Sequence, residues 1–196
     1  MHYIGMRTLI LIAACCTTIT SIHAQAPRAE LLSKAALELT RDEVIYDPSY
    51  VPIAYPNGDV PAHRGVCTDV VIRAYRKLGI DLQQLVHEDM KKNFDRYPKN
   101  WRLKAPDTNI DHRRVPNLMV FFARKGTVLK ITHDPADYRP GDIVCWDLGG
   151  GTTHIGLVVD RRSPDARRPM IVHNIGAGQV LEDVLFAYRI IGHYRY

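Results

Sequence analysis

Cys67 is the residue whose type and position most clearly suggest chemistry. Apolar residues recur at every third or fourth position after it, and this pattern predicts a helix that begins at Cys67. A thiol at a helix N-terminus faces unpaired backbone N–H groups and the positive end of the helix dipole, both of which favour the thiolate. A nucleophilic cysteine also needs a base within hydrogen-bond reach and a group that orients this base.

Two histidines further along the chain are candidates for those roles. His154 opens a run of β-branched and aliphatic residues, and His173 lies near the end of the next such run. If the two runs form a hairpin through the loop at 161–168, the two histidines become neighbours at the same end of the sheet. We therefore predict that His154 is the general base and that His173 fixes its tautomer. Taken singly, each residue also fits a purely structural role as a buried thiol or a half-buried strand histidine.

The elements that must position these residues change in type along the chain. Helical spacing of apolar residues is found in the segments 29–41, 67–78, 82–90 and 116–125. Runs of β-branched or aromatic residues follow at 127–131, 142–148, 154–159, 170–174 and 188–196. Helices followed by antiparallel strands predict an α+β fold with the helices packed on one face of the sheet.

The first 24 residues predict export and are excluded from the fold. Arg7 precedes an uncharged, largely apolar stretch, and small or aliphatic residues stand before Gln25, as in a secretory signal peptide. The stretch is shorter than the roughly 20 apolar residues that span a bilayer. We expect a signal peptide at 1–24, one domain at 25–196, and a periplasmic or secreted protein. The alternative is a lipoprotein anchored to a membrane through Cys15.

Composition excludes several classes of protein. The chain has 196 residues, of which 46% are hydrophobic and 24% charged, as in one ordinary globular domain. A net charge of +5 suits anionic surfaces such as cell-wall polymers. The basic residues do not cluster on one helix or alternate with stacking aromatics, so we predict no nucleic-acid partner. No His-x-x-x-His or Cys-x-x-Cys spacing is found, so we predict no metal and no cofactor, with a zinc hydrolase as the alternative.

Only two cysteines, Cys67 and Cys145, follow the predicted signal peptide. Two thiols cannot form a disulfide framework for a domain of this size. Cys145 lies in an apolar run that predicts a buried strand, and one interpretation is an inert packed thiol. The other is a disulfide between the two cysteines, which would silence the nucleophile until it is reduced.

Longer motifs around these residues resemble known families. Five motifs resemble those of the NlpC/P60 cysteine peptidases: YPNG at 55–58, GVCTDVV at 65–71, RPGDIV at 139–144, THIGLV at 153–158 and VHN at 172–174. Nearly all of residues 45–196 resembles the DUF1287 family, including NIDHRRVPNL at 109–118 and the ending GHYRY. The chain departs from NlpC/P60 in one place, since VCTD stands where Asp-Cys-Ser-Gly is usual.

The NlpC/P60 resemblance implies a reduced papain-like fold. In that fold a cysteine at a helix N-terminus packs against an antiparallel sheet that supplies a histidine and a third polar residue. Cys67, His154 and His173 match this order. The resemblance also implies that Tyr55 lies beside the nucleophile and that the Cys67 backbone N–H helps to form the oxyanion hole.

Further oxyanion or substrate contacts are predicted close to the nucleophile and in the polar segment before the fourth helix. Arginine suits the bidentate capture of a carboxylate, and the alternative for the segment 111–114 is a polar loop that caps this helix. These predicted contacts are Asp69, Asp111, His112, Arg113 and Asn174.

The implied activity is hydrolysis of amide bonds in peptidoglycan peptides. In that reaction the thiolate of Cys67 attacks the carbonyl, and His154 takes and returns a proton. Two other functions fit the same residues. One is a module that binds peptidoglycan without cleaving it, and the other is an acyltransferase or thioesterase that acts on a lipid.

Overall fold

The computed structural model describes residues 19–196, with side chains from Arg28 onward. The helices are α1 (Ile19–Leu39), α2 (Cys67–Lys77), α3 (Leu82–Lys92) and α4 (Val115–Lys125). The predicted lipid attachment at Cys15 and most of the predicted signal peptide lie outside the described residues. In the described part of the chain, no helix combines the length and apolar character needed to cross a membrane.

Within residues 19–196, eight strands form two sheets. They are β1 (Ile45–Tyr46), β2 (Arg64–Gly65), β3 (Thr127–Val128), β4 (Ile143–Gly149), β5 (Thr152–Arg162), β6 (Pro169–His173), β7 (Val180–Glu182) and β8 (Arg189–Arg195). Strands β1 and β2 pair in parallel. The other six form an antiparallel sheet in the order β3-β8-β4-β5-β6-β7. The predicted β5–β6 hairpin is confirmed, with Leu157 opposite Val172.

The two faces of the six-stranded sheet are covered differently. Ile155 and Leu157 of β5 belong to a large apolar core with residues of all four helices. The alternate residue Val158 belongs to a smaller core on the other face, together with Trp146 and Leu185. Successive residues of a strand point to opposite faces, so this division follows from the strand period. The fold is α+β, with helices packed on an antiparallel sheet, as predicted.

The sequence interpretation misjudged the short strands. Strand β3 covers only Thr127–Val128 of the predicted run 127–131, although the backbone N–H of Leu129 still donates to the oxygen of His193. The strands β1, β2 and β7 have no counterpart in the sequence prediction. Strands of two or three residues are too short to show an alternating pattern, and pairing with longer neighbours creates them. Strand β7 matters most for the candidate site because it brings Glu182 to the sheet edge beside β6.

Candidate active site

Helix α2 begins at Cys67, as its apolar spacing predicts. Val66 precedes the helix in an extended conformation, with φ −126° and ψ −173°. Its backbone N–H donates a 2.7 Å hydrogen bond to Oδ2 of Asp69 on the first turn. This bond fixes the point at which the chain turns into the helix. The nucleophile candidate is therefore held at a rigid helix start.

The Cys67 thiol lies against strand β5 at the residue that follows His154. The backbone N–H groups of Ile155 and Thr68 are close enough to the sulfur to act towards a lower pKa of the thiol. Cys67 is only 7% exposed, and burial raises the pKa of its thiol to about 12 despite these donors. The backbone N–H groups at the helix start act in favour of the thiolate, as expected, but desolvation outweighs them in the folded chain. Cys67 is a neutral thiol at neutral pH and needs a base.

His154 and His173 lie side by side at the same end of the sheet. Nε2 of His154 and Nδ1 of His173 are 2.8 Å apart, and the rings meet edge to face with centroids 5.0 Å apart. Both side chains are buried. Burial, followed by the nearby His173, lowers the pKa of His154 to about 3, so this imidazole is neutral at neutral pH.

Glu182 continues the chain of hydrogen bonds and was not identified from the sequence. Its Oε2 lies 2.8 Å from Nε2 of His173. An ionised carboxylate only accepts, so His173 Nε2 carries a proton and His173 Nδ1 is the acceptor for His154 Nε2–H. This leaves Nδ1 of His154 as an unprotonated nitrogen, and within the described part of the chain it has no hydrogen-bond partner.

Asp69 and Arg113 form a buried ion pair beneath the start of α2. Arg113 Nε donates to Asp69 Oδ1 at 2.9 Å and Nη2 donates to Oδ2 at 3.0 Å. Both side chains are 2% exposed. Arg113 also donates to the backbone oxygen of Ser49. The pair thus joins the helix start to two loops, and the predicted contacts of its members with substrate stay a prediction.

Asp111 and His112 lie in a buried 3₁₀ turn directly before α4. Burial raises the pKa of Asp111 to about 6 and lowers that of His112 to about 3. Asp111 Oδ2 accepts the backbone N–H of Asp107, and Asn117 donates to the Asp111 backbone oxygen. Asp111 Oδ1 and His112 Nδ1 are buried without a hydrogen-bond partner in the described chain. The predicted substrate contacts of Asp111 and His112 stay a prediction.

Tyr46 is a tyrosine close to Cys67. It stands opposite Gly65 in the β1–β2 pair, two residues before Cys67. Burial, then Cys67, then Asp69 raise the pKa of its phenol. Tyr55, for which the resemblance implied this place, packs its ring 5.1 Å from that of His87 on α3. The sequence contained no signal for Tyr46, because only the pairing of two short strands brings it there.

Asn174 is buried at the end of β6 and connects this strand to the start of α2. Its Nδ2 donates to the backbone oxygen of Gly65 at 3.1 Å, and its Oδ1 accepts the backbone N–H of Gly176. Both polar groups of the side chain therefore have partners within the chain. The predicted contact of Asn174 with substrate stays a prediction.

Comparisons with known proteins identify the family. The chain matches the family model described as "Domain of unknown function (DUF1287)" over residues 33–196. This chain belongs to the DUF1287 family. The predicted membership is confirmed. "Uncharacterized protein YijF" from Escherichia coli (strain K12) is 51% identical over 177 residues, which cover 90% of this chain and 86% of that protein.

A solved structure similar to this DUF1287 chain is "Structure of NlpC2 from Trichomonas vaginalis". The TM-score is 0.45 at 16% sequence identity, and the match covers 86% of this chain and 47% of that chain. The DUF1287 chain therefore spans about half the length of that structure.

The two described cysteines of the DUF1287 domain, Cys67 and Cys145, are both free thiols. Cys145 stands opposite Ile155 in the β4–β5 pair, and the backbone N–H of Ile155 acts towards a lower pKa of the Cys67 thiol. Burial, then Cys67, raises the pKa of Cys145 well above its usual value. In the described residues, no group of three or more His, Cys, Asp or Glu side chains is arranged to hold a metal ion.

A large cleft of the DUF1287 domain lies away from the candidate site. It has a volume of about 790 Å³ and lies between α1 and the far end of β5, where Ser33, Asp160 and Arg161 line it. Cys67, His154 and His173 are not among its lining residues. The candidate residues His154 and His173 lie at the opposite end of β5.

Alkylation of Cys67 by iodoacetamide is expected to be slow at pH 7 and to accelerate steadily as the pH rises above 9. The reason is that only the thiolate reacts, and burial holds the pKa of Cys67 at about 12. The rate is measured by intact mass in a Cys145→Ala variant, so that one described thiol is followed. Urea-unfolded protein is the control, and the pH dependence of its alkylation rate is expected to follow an ordinary cysteine pKa of about 8.5. Rapid alkylation of the folded variant at pH 7 would contradict this prediction.

Gly156→Ala is expected to destabilise the domain by about 1–3 kcal/mol, the usual cost of overpacking. A Cβ at this position would lie 2.7 Å from Cγ2 of Ile171 and 3.1 Å from Cβ of His173. Urea unfolding measures the loss. Gly79→Ala is the control, because a Cβ there meets no atom within 4 Å and only its φ of +75° is unfavourable. NMR resonances of His173 are expected to shift in the first variant and to stay unchanged in the control; unchanged resonances in both would refute the contact.

Proposed function

We propose that this DUF1287 protein is an exported cysteine hydrolase that cleaves amide bonds in peptidoglycan peptides. Cys67 is the nucleophile, His154 the general base, and His173 the residue that orients the base. The observation that carries the proposal is the 2.8 Å bond between His154 and His173 at the end of β5, next to Ile155, whose backbone N–H acts towards a lower pKa of the Cys67 thiol. A thiol, a base and an orienting group in this order are the parts of a nucleophilic triad.

The reaction begins from a neutral pair. Because the thiol of Cys67 and the imidazole of His154 are both uncharged at rest, the proton leaves sulfur as sulfur attacks the substrate carbonyl. His154 Nδ1 receives this proton, since its Nε2 is engaged with His173. Moving the proton only in the transition state avoids a buried ion pair in the resting enzyme.

The remaining steps return the proton and release the acyl group. The tetrahedral oxyanion is stabilised by backbone donors at the start of α2, including the Cys67 N–H, and each donor lowers the barrier by about 3 kcal/mol. His154 then protonates the leaving amine as the C–N bond breaks, which leaves a thioacyl group on Cys67. Water activated by His154 hydrolyses this thioester and restores the free thiol.

The proposal includes the location of the protein in the cell and the polymer that it acts on. The signal peptide at 1–24 directs the protein to the periplasm or the outside of the cell, where peptidoglycan is the partner. The full chain has a net charge of +5, and without Arg7 of the signal peptide the exported domain keeps 25 − 21 = +4, which favours association with anionic wall polymer. The reaction uses no metal and no cofactor.

The proposal is tested by digesting purified peptidoglycan and soluble muropeptides with the reduced, exported protein. Products are separated by liquid chromatography and identified by mass spectrometry, and Cys67→Ala is run beside the wild type. New peptide fragments made by the wild type alone are the expected result, and they identify the bond that is cut. If both proteins bind the polymer and neither releases fragments, the chain is a binding module and the hydrolase proposal fails. Products that appear only from acylated lipids would instead support the acyltransferase or thioesterase alternative.

A further inference from the structure

Glu182 takes no part in the reaction proposed above, yet it ends a chain of hydrogen bonds that starts at the candidate base. The chain runs from Nε2 of His154 to Nδ1 of His173, and from Nε2 of His173 to Oε2 of Glu182, with both distances 2.8 Å. The His173 side chain is fully buried, whereas the Glu182 side chain is 42% exposed. The chain therefore leads from the interior to the edge strand of the sheet.

The positive charge that forms on an imidazole during the reaction is more stable on His173 than on His154. An imidazolium at His154 would be buried, and burial lowers the pKa of His154 to about 3. Burial also lowers the pKa of His173, but the carboxylate of Glu182 counteracts it through both its charge and its hydrogen bond. For His154, burial and His173 both lower the pKa, and no carboxylate among these causes counteracts them. A proton that arrives at His154 is therefore better balanced if the charge moves to His173.

We propose that Glu182 is a positioning residue that holds this charge on His173 during catalysis. This inference rests on the proposed function. As the Cys67 S–H bond breaks and the proton binds Nδ1 of His154, the proton on Nε2 of His154 passes to Nδ1 of His173. The products of this step are a sulfur nucleophile, a neutral His154 and an imidazolium at His173 that is paired with the Glu182 carboxylate. The numbers of protons and charges are conserved.

The groups that surround the hydrogen bonds from His154 to Glu182 are consistent with the proposal that Glu182 holds the charge on His173. Strand β5 contributes His154, and β7 contributes Glu182. The neighbouring Asp183 is paired with Arg168, with Nη2 and Oδ2 2.6 Å apart. The residue that packs on His154 from β4 is the uncharged Trp146, with ring centroids 5.6 Å apart. Among the carboxylates of the described residues, Glu182 is the one hydrogen-bonded to His173, which in turn is bonded to His154.

The test removes the negative charge of the residue 182 side chain and keeps the shape of that side chain. Glu182→Gln retains an oxygen that accepts from His173 but removes the negative charge. We expect kcat to fall about 10- to 100-fold with KM unchanged, which is the size of the loss found when a carboxylate that orients a metal-binding histidine is removed. We also expect the pKa of His173, measured by NMR titration of its ring protons in the full exported protein, to fall by about one unit or more. Glu182→Asp keeps the charge and is expected to restore most of this pKa.

The matched control is Glu43→Gln. Glu43 is exposed and makes no hydrogen bond or ion pair with the described residues, so the same chemical change is expected to alter neither kcat nor the His173 titration. The titration needs no substrate, so it separates two failures. If the wild type cleaves no peptidoglycan, the proposed function fails, while a lowered His173 pKa in Glu182→Gln still supports the charge-holding role. If Glu182→Gln leaves both the His173 pKa and kcat unchanged, the inference is overturned.

Discussion

Hydrolysis by a His154→Gln variant is expected to fall by about 10⁴-fold or more, to the level of Cys67→Ala. The glutamine amide replaces the Nε2–H that donates to His173 but has no equivalent of Nδ1, so the proton acceptor for the thiol is lost. The buried thiol, whose pKa burial raises to about 12, cannot compensate by ionising on its own. Initial rates of muropeptide cleavage, quantified by mass spectrometry, provide the measurement.

Two further variants decide whether this loss reflects catalysis. His133→Gln makes the same change at an exposed histidine and is expected to leave the rate unchanged. The double variant Cys67→Ala with His154→Gln is expected to be no slower than either single variant, because residues that act as one unit are not additive. A His154→Gln enzyme that retains a tenth of the wild-type rate would exclude His154 as the base.

Arg113→Met is expected to lower the free energy of unfolding by about 3–5 kcal/mol. The substitution leaves the carboxylate of Asp69 buried at 2% exposure without its bidentate partner, and an uncompensated buried charge is costly. It also releases the backbone oxygen of Ser49, which Arg113 binds. Urea unfolding followed by circular dichroism measures the loss.

A second substitution shows whether the lower stability of Arg113→Met comes from an unpaired charge or from lost packing. Arg113→Met combined with Asp69→Asn removes the unpaired charge and keeps an oxygen for the N–H of Val66, so the double variant is expected to be more stable than Arg113→Met alone. Lys77→Met, which breaks the half-exposed pair with Glu38, is the control and is expected to cost no more than about 1 kcal/mol. If the double variant is as unstable as Arg113→Met, lost packing rather than charge explains the effect.

The location of the three predicted catalytic residues was accessible from the sequence because it depends on local periodicity. The helical spacing after Cys67 places this residue at the start of α2, and the strand period with a hairpin loop brings His154 and His173 to the same end of the sheet. Both periods are properties of short segments, and neighbouring segments joined by a short loop pair with each other. The α+β class follows from the same patterns.

Tertiary structure alone decided the surroundings of these residues. Glu182 reaches His173 because a three-residue strand joins the sheet edge, Tyr46 nears Cys67 through a two-residue strand pair, and Arg113 meets Asp69 across 44 positions of the chain. Segments this short carry no periodic signal, and contacts at such separation are set by how the helices pack on the sheet. The sequence indicated a thiolate from the helix N-terminus, but burial by the packed layers, a property of the whole domain, keeps Cys67 protonated.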